Sequence, residues 1–278
     1  MSIFDEDKID CHCHVFDPRR FPYGSDNFYA PEGQELGTPD QFGQVLDAYG
    51  VGHALLVGPN SGYGLDNSCL LDTLARSQGR LKGVAVVAND ASLEELSLLK
   101  GQGIVGVAFN PALSGVPKAG EIVPLLEKLA RLDLFAQIQV RNQQLPEMLP
   151  SLLASGVRLL VDHCGRPDIS AEIEQPGFQA LVALGRAGRA VVKLSGMGKF
   201  SQLPFPHQDT WTYLRALTDA FGFDACVWGS DWPFLRASER VDYGPLLKLV
   251  EQLFPHREDR RKLLWETPRR LIGFDGAS

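Results

Sequence analysis

No run of about 18 consecutive apolar residues occurs in the 278-residue sequence, so no membrane-spanning helix is expected. The N-terminal MSIFDEDKID is acidic and has no apolar core of a secretory signal, which sets the expectation of a cytoplasmic protein. Cysteine is scarce: five residues, at 11, 13, 69, 164 and 226, with no Cys-x-x-Cys pair. That excludes a zinc ribbon built on paired knuckles, and it predicts free thiols without disulfides. Basic runs are missing and the net charge is −7, so no nucleic-acid partner is expected. No Pro/Ser-rich linker divides the chain, and one domain spanning 1–278 is the expected organisation. The glycine-rich phosphate turn G-x-G-x-x-G is also absent after the first apolar segment.

What is present is a regular alternation. Short β-branched or apolar runs stand at 8–15, 53–58, 82–87, 104–109, 134–140, 157–162, 190–195 and 225–230. Several are nearly continuous in apolar residues, the pattern of parallel strands covered on both faces. Helical segments lie between them. Thr38-Pro39-Asp40-Gln41 reads as a helix start, with Gly50 as the stop, and Ser92 with Glu95 repeats the start signal before Gly101. Asp209 is expected to cap the helix carrying Leu214, Leu217 and Phe221. Eight β–α alternations in this length predict a somewhat distorted (β/α)₈ barrel of the TIM type. Segment 17–37 is expected to cover one barrel end, and 255–275 to form terminal helical packing.

The chemistry concentrates in the stretch Asp10-Cys11-His12-Cys13-His14. Strict strand alternation places Asp10, His12 and His14 on one face, with Cys11 and Cys13 on the other, packed against helices. His163 follows the sixth strand in LLVDHCG, and Asp231 follows the eighth in CVWGSDWP. Barrel active sites sit at the C-terminal strand ends, so His12, His14, His163 and Asp231 are expected to converge. Three imidazoles and a carboxylate suit either one divalent metal or metal-free activation of water beside a carbonyl. Asp231 has a competing reading as the N-cap of a following helix, given Pro233. Loop 58–68 offers Asn60, Ser61 or Tyr63 to a ligand, or forms a plain turn capped by Asp66. His53, His207 and His256 are expected to be surface or packing residues.

The Asp-x-His-x-His at 10–14, the VDHCG with His163 and the WGSDWP with Asp231 resemble the amidohydrolase superfamily, most closely the amidohydrolase-2 branch, which includes 2-pyrone-4,6-dicarboxylate lactonases. The resemblance implies hydrolysis of a small cyclic ester. Asp231 would deprotonate water, and His12, His14 and His163 would polarise the lactone carbonyl. The mid-barrel lysine that bridges two metals in binuclear members has no counterpart, because 104–109 and 134–140 contain no lysine. Either no cofactor or one zinc, on His12, His14, His163 and Asp231, therefore remains. A carboxylated lactone needs cationic and polar contacts, for which Ser61, Asn110, Gln139, Arg166, Lys193 and Lys199 are the candidates. A zinc hydrolase or decarboxylase and a non-catalytic small-acid binding barrel are the alternatives. A homo-oligomer is neither required nor excluded.

Overall fold

A computed structural model describes residues 2–274 apart from 26 and 28. Eight strands follow in sequence order around one sheet, each parallel to the next. They are β1 (Lys8–Cys13), β2 (Val51–Val57), β3 (Leu81–Ala85), β4 (Ile104–Phe109), β5 (Phe135–Ile138), β6 (Arg158–Val161), β7 (Ala190–Leu194) and β8 (Cys226–Trp228). Every expected strand is present, each within a few residues of its sequence estimate. The ring closes just past the strand ends. Asp231 N donates to His12 O at 2.7 Å, and His14 N donates to Trp232 O at 2.8 Å. The result is a single (β/α)₈ barrel.

Two apolar layers hold it. The inner one fills the barrel with Ile9, Cys11, Leu55, Val57, Val84, Phe135, Leu160 and Val227. Ile272 and Phe274 belong to the same layer, so the 257–272 helical segment stops the barrel's lower end. The outer layer packs the opposite strand faces, such as Leu56, Val107, Ile138, Val161 and Val192, against the surrounding helices. Burying a Leu, Ile or Phe side chain contributes roughly 1.5–3 kcal/mol, and these layers are the main source of stability.

The strict alternation expected on β1 fails. Asp10 pairs with Ala54 but Cys13 pairs with Leu56, so three steps on β1 match two on β2. That is a β-bulge, and one extra residue reverses the side-chain parity beyond it. Cys11 consequently lies inside the barrel while Cys13 packs in the outer layer. Asp10 faces away from the mouth toward Ser230 and Tyr243. All five thiols are free and buried.

Helix boundaries follow the local signals with two exceptions. Thr38 Oγ1 accepts from Gln41 N at 3.2 Å and Ser92 Oγ from Glu95 N at 3.0 Å, opening helices Pro39–Ala48 and Leu93–Gly101. The second helix ends at Gly101, as expected, and the chain then turns at Gly103, whose φ is +96°. Asp209 caps nothing. Its carboxylate instead accepts from Ser201 Oγ and Gln202 N, tying down the loop after β7. No helix starts at Asp231; the next is Tyr243–Leu253, so the N-cap reading fails. The described part of 17–37 crosses the upper end, with Arg20 paired to Asp72 and Gly62 N donating to Tyr29 O. No helix among the described residues is long and apolar enough to cross a membrane.

Candidate active site

The upper end of the barrel opens into a cavity of about 480 Å³. Its walls come from the segments that leave β2, β4, β5, β6, β7 and β8. Four polar side chains form a buried floor beneath it: Gln137 from β5, Asp162 after β6, Lys193 from β7 and His12 from the β1 bulge. Lys193 Nζ donates to Gln137 Oε1 at 2.6 Å and to His12 Nδ1 at 3.1 Å. It also lies 3.2 Å from Asp162 Oδ1, and Gln137 Nε2 donates to Asp162 Oδ2 at 2.9 Å. A buried charge needs such partners. Lys193 was expected to contact substrate, but it is fully buried and its ammonium is engaged with these three groups.

Above the floor, three imidazoles surround one carboxylate oxygen. Asp231 Oδ1 is 3.6 Å from His12 Nε2, 3.6 Å from His14 Nε2 and 3.9 Å from His163 Nε2. The far side of each ring is anchored. His14 Nδ1 donates to Val57 O at 2.8 Å, and His163 Nδ1 hydrogen-bonds with Ser195 Oγ at 2.9 Å. Asp231 Oδ2 takes Lys199 Nζ at 2.8 Å, whereas buried Oδ1 has no hydrogen-bond partner among the described residues.

The backbone is strained where these groups are aimed. His163, Arg166 and Asp231 have φ of +50°, +44° and +64°. The left-handed region costs a non-glycine residue about 1 kcal/mol or more. Gly196 and Gly229 supply clearance. A Cβ at Gly196 would lie 2.4 Å from His163 Nδ1, and one at Gly229 would lie 2.5 Å from His12 Cβ.

Burial and charge set the protonation states. Burial opposes ionisation of Asp231, but the Lys199 ammonium, the largest opposing influence, outweighs it and the carboxyl lies well below the usual range. Burial, reinforced by the Lys193 ammonium, depresses His12 to about 4. Burial and His12 likewise hold His163 well below its ordinary value. An ionised carboxylate beside the neutral imidazoles of His12 and His163 is the outcome.

The donor spacing also suits one cation. His12, His14 and Asp231 each present a ligand atom within 4.8 Å of the others. His163 falls in a second such group, with His12 and Asp162. Orphaned Asp231 Oδ1 beside the imidazole nitrogens of His12 and His14 fits a divalent ion chemically.

Ser61, Asn110, Gln139, Arg166 and Lys199 line the cavity. Asn110 Nδ2 donates to Asn60 Oδ1 at 3.2 Å. Tyr63 turns away and stacks on Phe16. His207 was expected at the surface or in packing. It is buried in the cavity wall, with Nδ1 donating to Leu203 O at 3.0 Å and Nε2 facing Glu239 at 3.9 Å. Sequence reasoning assigned no role to Asp162, Arg141 or Glu239. Asp162 was readable, since it follows Leu160 by two and shares its inward parity.

A (β/α)₈ barrel that gathers imidazoles from β1 and β6 around an aspartate after β8 has the architecture of an amidohydrolase-type barrel. The chain belongs to the amidohydrolase family, whose model matches residues 9–274. It is 30% identical to the 4-sulfomuconolactone hydrolase of Hydrogenophaga intermedia, across 95% of this chain and 88% of that protein. It is 27% identical to a 2-pyrone-4,6-dicarboxylate hydrolase of Comamonas testosteroni, across 95% and 89%. A probable 2-pyrone-4,6-dicarboxylic acid hydrolase from Acinetobacter baumannii, crystallised with citric acid, superimposes with a TM-score of 0.87. That protein shares 28% identity over 96% of this chain and 100% of its own.

Proposed function

We propose that this chain hydrolyses a small lactone bearing an acidic substituent, with Asp231 as the base that activates water. The observation that carries this reading is the Asp231 carboxylate, with Oδ2 held by Lys199 and an unpaired Oδ1 facing three imidazoles. The lactone-hydrolase names of the relatives support the ester class.

Water held near Asp231 loses a proton to Oδ1 as its oxygen attacks the lactone carbonyl. Negative charge develops on the carbonyl oxygen. Imidazole N–H groups and the Lys199 ammonium stabilise it, and such preorganised donors supply the largest part of many rate enhancements. The tetrahedral intermediate collapses with cleavage of the ring C–O bond. The proton on Asp231 passes to the departing ring oxygen, which gives an open-chain hydroxy acid and restores the carboxylate. Depressed proton affinity makes Asp231 a weak base but keeps it ionised. Ser61, Asn110, Gln139 and Arg166 line the cavity walls, and in this reading they orient the substrate.

A single divalent metal is the second reading, favoured by the spacing of His12, His14 and Asp231. Those three would hold it, with His163 adjacent. When bound, it would lower the pKa of a coordinated water and polarise the carbonyl. Elemental analysis of freshly purified protein, with turnover before and after chelation, separates the two. Stoichiometric metal, with activity lost to chelator and restored by zinc, selects the second.

Turnover of a lactone panel by wild type and Asp231→Asn tests the proposal itself. A loss of at least about 100-fold is expected for removal of a general base. Wild-type rates in the variant, or no lactone turned over by either protein, would overturn it.

A further inference from the structure

Two arginines face the cavity with no acidic partner. Arg141 leaves β5 two residues after Gln139, and Arg166 follows His163 after β6; both line the cavity wall. Neither side chain forms an ion pair or hydrogen bond among the described residues, and Arg166 Nε is buried without a partner. The nearby acids are already engaged. Asp231 pairs with Lys199, Asp162 with Lys193, and Glu239 accepts from Phe205 N at 2.9 Å. Arg236 lines the same cavity, which adds positive charge to this side. By contrast the exit of β4 offers Ala108, Asn110 and Ser114, with no cation.

Such an arrangement is unfavourable in isolation. Burial, then the Arg141 charge, lowers the proton affinity of Arg166, and the Asp231 charge opposes this. A partly desolvated guanidinium facing a like charge is relieved only when an anion arrives, and a planar fork of donors matches an oxyanion in bidentate fashion. Arg141, Arg166 and Asp231 line the same cavity of about 480 Å³, so one small ligand can reach them together.

We propose that Arg141 and Arg166 form an oxyanion subsite that receives a carboxylate or sulfonate substituent of the lactone, separate from the Asp231–Lys199 pair. This rests on the lactone-hydrolase reading for its substrate, but not for its ability to bind an anion. The pair acts as a specificity device. It selects acid-substituted lactones over neutral ones of the same ring, and it works through binding more than through the chemical step.

The test compares three lactones that share a ring: unsubstituted, carboxylate-bearing and sulfonate-bearing. Wild type, Arg141→Met, Arg166→Met and Arg166→Lys are assayed on each. Citrate binding is measured calorimetrically on the same proteins, independently of turnover. Each methionine variant is expected to lose about 10- to 100-fold in kcat/KM on the substituted lactones, mainly through KM, and much less on the unsubstituted one. Arg166→Lys keeps the charge but not the fork and is expected to fall between. Citrate affinity should weaken in parallel. The wild-type preference between the two substituted lactones identifies which oxyanion is read. An unchanged preference for substituted lactones, together with unchanged citrate affinity in folded variants, would overturn the subsite. Loss of citrate binding in the variants, with no lactone turned over by wild type, would remove the lactone reading and leave the subsite standing. Arg141 is exposed, so its variant reports even where Arg166→Met fails to fold.

Discussion

Lys199 and Asp231 form a lopsided pair: the ammonium lies 2.8 Å from Oδ2, and Oδ1 is left to the three imidazoles. The lysine comes from a short turn after β7 and is partly exposed, whereas the aspartate is nearly buried. One cation thus keeps a buried carboxyl ionised without covering the oxygen that faces the chemistry.

Replacing Lys199 by Met should reverse the balance on Asp231. Burial raises the carboxyl's proton affinity, and Lys199 is the largest of the groups that lower it. Without it, Asp231 stays protonated to higher pH, and a protonated base is inactive. The acid limb of kcat/KM should therefore move to higher pH, with the loss growing toward the acid end of the profile. Lys199→Arg should leave the limb near its wild-type position. A pH–rate profile checks both, and an unmoved limb in the Met variant would refute the role of the pair.

His12 is expected to stay neutral through the physiological range, because its folded value of about 4 lies below the unfolded 6.5. Between those values the unfolded chain binds the proton and the native protein does not. Stability from this group is therefore full above about 6.5 and falls as pH drops toward 4, by at most on the order of 3 kcal/mol. Denaturant unfolding across this window should show the decline, and His12→Gln should flatten it. NMR of the ring should show no His12 titration between pH 7.5 and 5.5; a midpoint near 6.5 would contradict the expectation.

The barrel was legible because strand and helix periods alternate without ambiguity and the capping signals at Thr38 and Ser92 are local. His12, His14, His163 and Asp231 were legible because barrel sites collect at strand ends. The β1 bulge was not. Parity arguments assume an uninterrupted two-residue period, and one inserted residue sent Cys11 inward and Asp10 outward. Lys193 was misplaced for a related reason. Inward parity is correct for it, but depth along the strand decides whether a side chain meets substrate or the floor. Asp209 looked like a cap in one dimension, and only the fold brings it to Ser201 and Gln202.

Gly196→Ala should damage His163 specifically. The glycine adopts φ +60°, which strains any other residue, and the added Cβ would stand 2.4 Å from His163 Nδ1. The ring must tilt off Ser195 Oγ or the turn carrying Lys199 must shift. A stability loss of about 1–3 kcal/mol is expected from conformational strain and overpacking. A fall in kcat larger than any rise in KM should accompany it. Gly188→Ala is the control: it has a similar φ of +62° but nothing within 4 Å of an added Cβ. It should carry the stability loss alone, with kcat kept, and equal kinetic damage in both variants would rule out the His163 explanation.

Asp10 joins the first and last strands of the barrel, the two that lead to His12 and Asp231, so its substitutions separate architecture from charge. Oδ1 accepts from His12 N at 3.1 Å and Ser230 N at 2.9 Å, while Oδ2 accepts from the hydroxyls of Ser230 at 2.5 Å and Tyr243 at 3.0 Å. One carboxyl thereby fixes the β1 bulge below His12 and the turn before Asp231. Full burial raises its proton affinity, since the four hydrogen bonds offset the cost of the buried charge only in part. A neutral isostere should therefore be tolerated. In Asp10→Asn the amide oxygen keeps both backbone donors, and the two hydroxyls can rotate to accept from the amide. The expected cost is about 1 kcal/mol, with activity within roughly tenfold of wild type. Asp10→Ala leaves two buried N–H donors without acceptors, at about 1–3 kcal/mol each, and frees the bulge. It should lose about 3 kcal/mol or more of stability and most of kcat. Chemical denaturation with parallel kinetics decides. If Asp10→Asn proves as harmful as Asp10→Ala, the negative charge itself is required, and the view of Asp10 as a hydrogen-bonding clasp is wrong.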